Sequence, residues 1–380
     1  MNEIFVKYID KSNIENEINS IGFDKSYCHH AVKKNTFKTI KICNLIPQQA
    51  TIIKQSALSL GFDACVHRGV LDCSVDYSDC VLTGSLIQFK NLCEKLQQQP
   101  FKLKEVSKNI LSVIEHKIEP LKIRNTIFDW SKPYLMGIVN VTPDSFSDGG
   151  KYYTVEQAVS HAQELIKDGA DIIDIGAEST RPNHTEITAE EEISRLKDVI
   201  REIRNINKEI IISIDTRNSK TAEMAITSGA DIVNDISFTE HDKNMIEFIN
   251  QNNIPYILTH NKDSDRNIDE IYYQLLTKKN TISAPTIIDI GIGFEKNEEL
   301  NYELIKRIEE FKSLNCPILV GHSRKSFFSN KLQLANNKEK DFVTSIISAC
   351  LIKSGVNILR VHEIKQHKLA LDAISPIITY

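Results

Sequence analysis

The sequence predicts an α/β chain, with a (β/α)8 barrel in its C-terminal two-thirds and a smaller α+β unit ahead of it. Three observations carry this. First, short apolar runs at 135–141, 171–175, 210–215, 231–235, 255–259, 286–290, 317–321 and 357–361 read as buried strands. Segments of helical period fill the gaps, at 154–168, 188–206, 219–228, 241–252, 267–280, 298–314, 341–354 and 363–374. Eight of each lie within roughly the ~250 residues such a barrel needs. Second, Asp168-Gly169-Ala-Asp171-Ile-Ile-Asp-Ile and Ser228-Gly229-Ala-Asp231-Ile-Val-Asn-Asp share one form: a helix ends at glycine and feeds a buried strand. Third, units of similar length leave no evident edge strand, which favours a closed barrel over a doubly wound open sheet.

With 380 residues, two domains are expected, over 1–125 and 133–380, joined by a linker from Glu119 to Lys132. The net charge of −5, with mixed signs, supplies no basic stripe for nucleic acid. No apolar run approaches the roughly 18 residues of a membrane span. Charge comes too early after Met1 for a signal peptide, so the expected location is cytoplasmic. Six of the eight cysteines, Cys28, Cys43, Cys65, Cys73, Cys80 and Cys93, fall in the first quarter. None forms a Cys-x-x-Cys pair, so they are read as small buried apolar residues rather than zinc ligands. In this first third, 38–43, 63–67 and 79–84 read as strands and 50–60, 86–96 and 104–117 as helices. Nothing there names a chemistry.

In a barrel the chemistry sits at the C-terminal strand ends. The first strand stops at Thr142-Pro143, since proline cannot donate to a sheet ladder, and opens a loop with Asp144, Phe146, Asp148, Gly149 and Gly150. Later strands end in Asp174, Asp215, Asn234-Asp235, His260, Asp289, His322-Ser323-Arg324-Lys325-Ser326 and Arg360-Val-His362. One polar strand end is weak evidence, because capping and ion pairing are common; eight converging ends point to a site. Asp215, Asn234 and Asp289 suit a flat heterocycle with an amino-amide edge, whose parallel N–H groups a carboxylate accepts. Arg181, Lys325, Arg360, His362 and Asn140 suit a diphosphate with Mg²⁺. Phe146 and Phe294 suit stacking on an aromatic co-substrate. Together they imply transfer at a carbon bearing a diphosphate leaving group.

At these residues the chain strongly resembles the dihydropteroate synthases. The matching segments are Met136 to Gly150, Asp174 to Pro182, Ser213 to Thr216, Gly229 to Asp235, Asp289 to Phe294, Ser323 to Phe327 and Arg360 to His362. The resemblance implies a TIM barrel that joins 6-hydroxymethyl-7,8-dihydropterin diphosphate to 4-aminobenzoate, releasing diphosphate. It implies that Asp215, Asn234, Asp289 and Lys325 hold the pterin, that Asn140 helps place Mg²⁺, and that Arg360 and His362 grip the diphosphate. Arg181, Pro182, Phe146, Phe294 and Ser326 then shape the aminobenzoate pocket, and Thr180 lies between the pterin and diphosphate sites. Asp148 is expected to stabilise positive charge at the reacting carbon. A homodimer through the last helices is what the family suggests.

The chain departs from the family in places. The usual Met-His-Met-x-Gly after the fifth strand is Thr259-His260-Asn261-Lys262-Asp263, and Ile290, Ala177 and Glu295 replace a proline and two glycines. The first third resembles an extension carried by a subset of these synthases, for which a docking or oligomerisation role is the hypothesis. The rival readings are a methyltetrahydrofolate-binding methyltransferase barrel and a catalytically silent pterin-binding scaffold.

Overall fold

The computed structural model describes residues 4–141, 155–177, 187–262 and 267–378. The chain forms two compact units, Met1–Lys117 and Ile118–Tyr380.

The first unit runs α1 (Ile14–Ser20), α2 (Lys25–Asn35), β1 (Phe37–Leu45), α3 (Pro47–Leu58), β2 (Ala64–Val66), β3 (Ser78–Ser85), α4 (Leu86–Leu96) and α5 (Leu103–Glu115). β1 and β2 flank β3, both antiparallel to it. Residues of β3 alternate buried and exposed, and its covered side, through Cys80 and Leu82, joins a core with Ile53, Phe89, Leu92 and Leu96. α4 starts at a capping box: Ser85 Oγ accepts from the Gln88 N–H at 3.3 Å, and Gln88 Oε1 accepts from the Ser85 N–H at 2.9 Å. The sequence reading misses α1 and α2, which between them bury only Cys28 and so carry no apolar period. It also misplaces three cysteines. Cys43, Cys65 and Cys73 are exposed, Cys43 and Cys65 on the uncovered side of their strands.

The expected linker from Glu119 to Lys132 is instead part of the barrel unit. β4 (Leu121–Ile123) and β5 (Thr126–Phe128) pair as a hairpin. Strands of three residues are too short to show alternation in the sequence, so the hairpin reads there as connecting chain. Its Ile123 and Phe128, with Trp130, join the inner cluster of the barrel, where Trp130 stacks on Phe128. At the hairpin turn Arg124 donates to Asp231 Oδ1 at 2.5 Å and to the Gly229 carbonyl at 3.2 Å.

The barrel follows: β6 (Tyr134–Asn140), α6 (Val155–Lys167), β7 (Ile172–Gly176), α7 (Ala189–Ile206), β8 (Ile211–Asp215), α8 (Ser219–Ser228), β9 (Ile232–Asp235), α9 (Asn244–Asn252), β10 (Tyr256–Thr259), α10 (Ile268–Lys279), β11 (Thr286–Asp289), α11 (Glu298–Lys306), β12 (Ile318–Val320), α12 (Ser326–Leu332), α13 (Asn337–Lys353), β13 (Ile358–Val361) and α14 (Ile364–Ile374). The sheet closes from β13 onto β6, with every neighbour parallel. The eight expected strands are present. The helix expected over 298–314 stops at Lys306 and gives way to a 3-10 turn, Ile308–Leu314, and α12 is additional.

The repeated Gly-Ala-Asp segments are a clamp at the N-terminal end of the barrel. Gly169 and Gly229 turn the chain at φ +106° and +116°, a conformation that glycine takes without strain. Asp171 then donates its N–H to the Leu135 carbonyl at 2.9 Å and accepts the Leu135 N–H on Oδ2 at 2.8 Å. Asp231 does the same to Ile212 at 2.7 and 2.9 Å, and Asn357 to Ile318 at 2.9 Å in both bonds. Each pair fixes one strand's register against the preceding one and satisfies backbone groups that would otherwise be left open. Above the clamps lies an apolar floor made by one inward residue per strand: Met136, Ile172, Ile211, Ile232, Ile257, Ile287, Leu319 and Ile358.

Candidate active site

Side chains two apart on a strand share a face. Two positions beyond the floor, toward the C-terminal ends, the inward residues are Ile138, Asp174, Ser213, Asn234, Thr259, Asp289, Gly321 and Arg360. The residues between, such as Ile173, Ile212, Val233 and Leu258, pack outward against the helices. The barrel interior thus changes from apolar to polar within one step along six strands; the exceptions are β6, where Ile138 keeps it apolar, and β12, where Gly321 carries no side chain.

Arg360 is the hub. Its Nε donates to Asp174 Oδ2 and its Nη2 to Asp215 Oδ2, both at 2.6 Å. Asn234 Nδ2 donates to the same Asp174 oxygen at 3.0 Å. Burial pushes the Asp215 carboxyl up, to about 7, against the pull of Arg360. Burial disfavours the Arg360 cation too, but Asp174 and Asp215 hold it above its ordinary range. Burial also raises Asp289, opposed by the Gly291 N–H on its Oδ1 at 2.8 Å and by Lys325. Lys325 is brought down by burial to about 8, and its Nζ lies 3.9 Å from the centre of the Phe294 ring. His362 meets Ser323 Oγ through both its N–H, at 3.3 Å, and Nδ1, at 3.0 Å. Asn140 ends β6 half-buried, and Ser326 opens α12 on the surface.

The structure therefore brings Asp215, Asn234, Asp289, Lys325 and Arg360 to one end of one barrel, with Asn140, Phe294 and His362 on the strand ends and loops around them. Phe146, Asp148, Thr180, Arg181 and Pro182 lie outside the described residues.

Not every polar strand end turns inward. His322 is fully buried against α13, its Nε2 near the Thr344 carbonyl at 3.2 Å and Ser348 Oγ at 3.0 Å. Arg324 forks onto Asp341 of α13 with two bonds of 2.7 Å. His260 reaches Gln274 of α10 at 2.8 Å, and Asp235 accepts from Tyr256 Oη at 2.7 Å. His322, Arg324 and His260 thus tie strand ends to helices, and Asp235 ties β9 to β10. Counting all polar strand ends toward a site overstates it, because neighbouring positions face opposite ways.

Two residues carry more than their sequence positions declare. Asp174 reads in the sequence only as a strand end, yet it holds Arg360; the signal is a carboxylate inside Ile172-Ile173-Asp174-Ile175, where no cap explains it. Lys296 was missed. Its Nζ donates to the carbonyls of His260, Gly291 and Phe294 at 3.0, 2.9 and 3.1 Å, binding the loops after β10 and β11 together. Burial brings it down to about 7. No motif spacing marks a tripod of carbonyls. Elsewhere, a surface cleft of 510 Å³ between α3 and α4, lined by Gln55, Lys95 and Gln98 among others, contains no buried titratable group.

A parallel barrel with an apolar floor and a charged mouth is the plan of a (β/α)8 enzyme. The model of the pterin binding enzyme family matches residues 136–362. The chain belongs to that family and, within it, to the dihydropteroate synthases. It is 39% identical over 248 residues to the dihydropteroate synthase of Clostridium beijerinckii, covering 63% of this chain and 92% of that one. A probable bifunctional folylpolyglutamate synthase/dihydropteroate synthase of Halobacterium salinarum is 34% identical over 340 residues, covering 85% of this chain. That share exceeds the barrel unit, so the likeness reaches into the first unit as well. The chain spans only 41% of the length of that relative, and of its Haloferax volcanii counterpart. Among solved structures, the Xanthomonas albilineans dihydropteroate synthase with 4-aminobenzoic acid superposes with a TM-score of 0.64 at 30% identity, covering 68% of this chain and 98% of that one. The Anaplasma phagocytophilum enzyme with bound 6-hydroxymethylpterin-monophosphate gives 0.60 at 38% identity, covering 65% and 100%.

Proposed function

We propose that this protein condenses 6-hydroxymethyl-7,8-dihydropterin diphosphate with 4-aminobenzoate to give 7,8-dihydropteroate and diphosphate. The observation that carries the reading is the set of Asp174, Asp215, Asn234, Asp289, Lys325 and Arg360 gathered at the C-terminal end of the barrel, above the apolar floor. Carboxylates and an amide there accept and donate along the amino-amide edge of the pterin. The cations at the rim take the anion. The C–O bond to the diphosphate breaks first, its electron pair leaving with the anion, because an arylamine is a weak nucleophile. The electron-rich pterin carries the positive charge left on its methylene carbon. The amine then forms the C–N bond and gives up a proton. Arg360, held charged by two carboxylates, and His362, oriented by Ser323, stabilise the departing anion without reorganising.

The donors fit Mg²⁺ of a particular kind. Among the described residues no group of three or more His, Cys, Asp or Glu could cage a metal. A single amide oxygen, from Asn140, matches an ion carried in largely by phosphate and water. When bound, such an ion neutralises charge on the leaving group.

A homodimer is part of the same proposal. On α13 Phe342 and Ile346 are 61% and 51% exposed, and on α14 Leu369 is 63% exposed, an apolar stripe that a second copy would cover. A cytoplasmic setting is supported by eight cysteines that form no disulfide. No helix of the described residues is long and apolar enough to cross a membrane.

The test is diphosphate release with both substrates and Mg²⁺. Release that depends on the pterin and on 4-aminobenzoate, and that a sulfonamide suppresses in competition with 4-aminobenzoate, is the expected result. Pterin binding without release would leave a silent scaffold and overturn the reading.

A further inference from the structure

Three buried polar atoms on the inner face of the barrel have no hydrogen-bond partner among the described residues: Asp174 Oδ1, Ser213 Oγ and Thr259 Oγ1. All three residues are 0% exposed. They occupy the same step of their strands, two positions beyond Ile172, Ile211 and Ile257 of the floor. Buried polar atoms of native proteins nearly always find a partner, so two open hydroxyls and one open carboxylate oxygen on one inner surface mark where a polar guest completes the set.

Thr259 is the informative member. Its strand neighbours turn away: Leu258 packs in the outer core, and His260 bonds to Gln274. Thr259 itself stands in register with Asp289 on the adjacent strand, so their side chains share the inner face side by side. Asp289 can only accept while ionised; Thr259 can donate. Such a pair matches an N–H group next to a carbonyl or ring nitrogen. In the usual family pattern this position holds methionine, which has no donor. This chain therefore replaces a thioether by a shorter side chain bearing an unused O–H.

We propose that Thr259 is a specificity-determining residue of this barrel. Its hydroxyl donates to an acceptor of the fused ring, directly or through one water, beside the N–H groups that Asp289 accepts. The inference rests on the pterin reading above and adds a recognition contact to it.

The experiment measures binding of 6-hydroxymethylpterin by calorimetry, with melting temperature, for the full chain and for Thr259→Val, Thr259→Ser and Asp289→Asn. Valine keeps the shape and removes the hydroxyl. It should weaken pterin binding about five- to tenfold, as loss of one buried hydrogen bond does. KM for 4-aminobenzoate should stay unchanged. The melting temperature should rise, because an unsatisfied polar atom is gone. Serine should bind like the native chain, which keeps the test valid if valine misfolds. Equal binding by native chain and Thr259→Val, while Asp289→Asn loses it, overturns the Thr259 inference alone. Absence of pterin binding by the native chain removes the functional reading and this inference with it.

Discussion

The two ends of the barrel use the same residue types for opposite purposes. At the N-terminal end Asp231 is saturated: Oδ2 takes the Ile212 N–H and Arg204, and Oδ1 takes Arg124. At the C-terminal end Asp174 shares one oxygen between Arg360 and Asn234 and leaves the other open, and Ser213 and Thr259 are open too. Asp174 is buried, Asp231 is half-buried, and both meet an arginine. The difference is completeness. A carboxylate whose hydrogen bonds are all made by its own chain is a rivet; one left incomplete in a buried place is a receptor.

Substitution at the two ends should separate these roles. Asp215→Asn is expected to lower kcat/KM by roughly 100-fold or more, since it removes charge from the C-terminal mouth of the barrel. Its denaturant midpoint should stay near the native value, because burial already disfavours that carboxylate. Near-native turnover would take Asp215 out of the pterin site. Asp231→Asn should do the reverse. It strips two arginines of their buried counter-ion, costing about 3 kcal/mol of stability by urea titration, while kcat/KM of the folded protein is kept. If both variants lost activity in proportion to stability, the contrast between the ends would collapse.

Lys296 stands between these extremes, a fully used cation at the active end. Lys296→Met should free the loop that carries Phe294 and raise KM for 4-aminobenzoate roughly tenfold, about 1.4 kcal/mol, with kcat little changed. The same variant has a pH signature. Burial lowers this lysine to about 7, and the charged groups facing it are Asp289, Lys325, Glu295 and His260. Between pH 7 and the ordinary lysine range the unfolded chain binds the proton that the folded chain has lost. Stability from this group therefore rises with pH across that window. Subtracting the Lys296→Met profile from the native one isolates the rise; parallel profiles would show the ammonium untitrated.

Much of this was legible because the barrel writes its period into the sequence. Strands buried on both faces read as continuous Ile and Val runs, and eight of them fix the architecture before any contact is known. Asp215, Asn234, Asp289, Lys325 and Arg360 were found because charge at the end of such a run has no packing excuse. What the runs conceal is direction. His322 and Ser323 are adjacent, yet one anchors α13 and the other orients His362. The hairpin of Leu121–Phe128 was hidden for a different reason: its energy lies in Trp130, Phe128 and Ile123 reaching into the floor, a long-range fact with no local period.

The departures from the family pattern supply the finest test of the comparison. Ile290 and Ala177 are simply absorbed, both 0% exposed in the outer core. Glu295 is not absorbed. Its φ is +43°, the left-handed region that favours glycine, so the loop takes that conformation while carrying a side chain. A non-glycine residue there is strained by about 1–2 kcal/mol, offset in part by the greater freedom glycine has when unfolded. Glu295→Gly should therefore stabilise by roughly 0.5–1 kcal/mol and leave kcat/KM unaltered, since the loop is already held by Lys296 at three carbonyls. A melting temperature that falls would mean that the glutamate side chain contributes more than its backbone costs. Its charge beside Lys296 would then belong with the incomplete end of the barrel rather than with the riveted one.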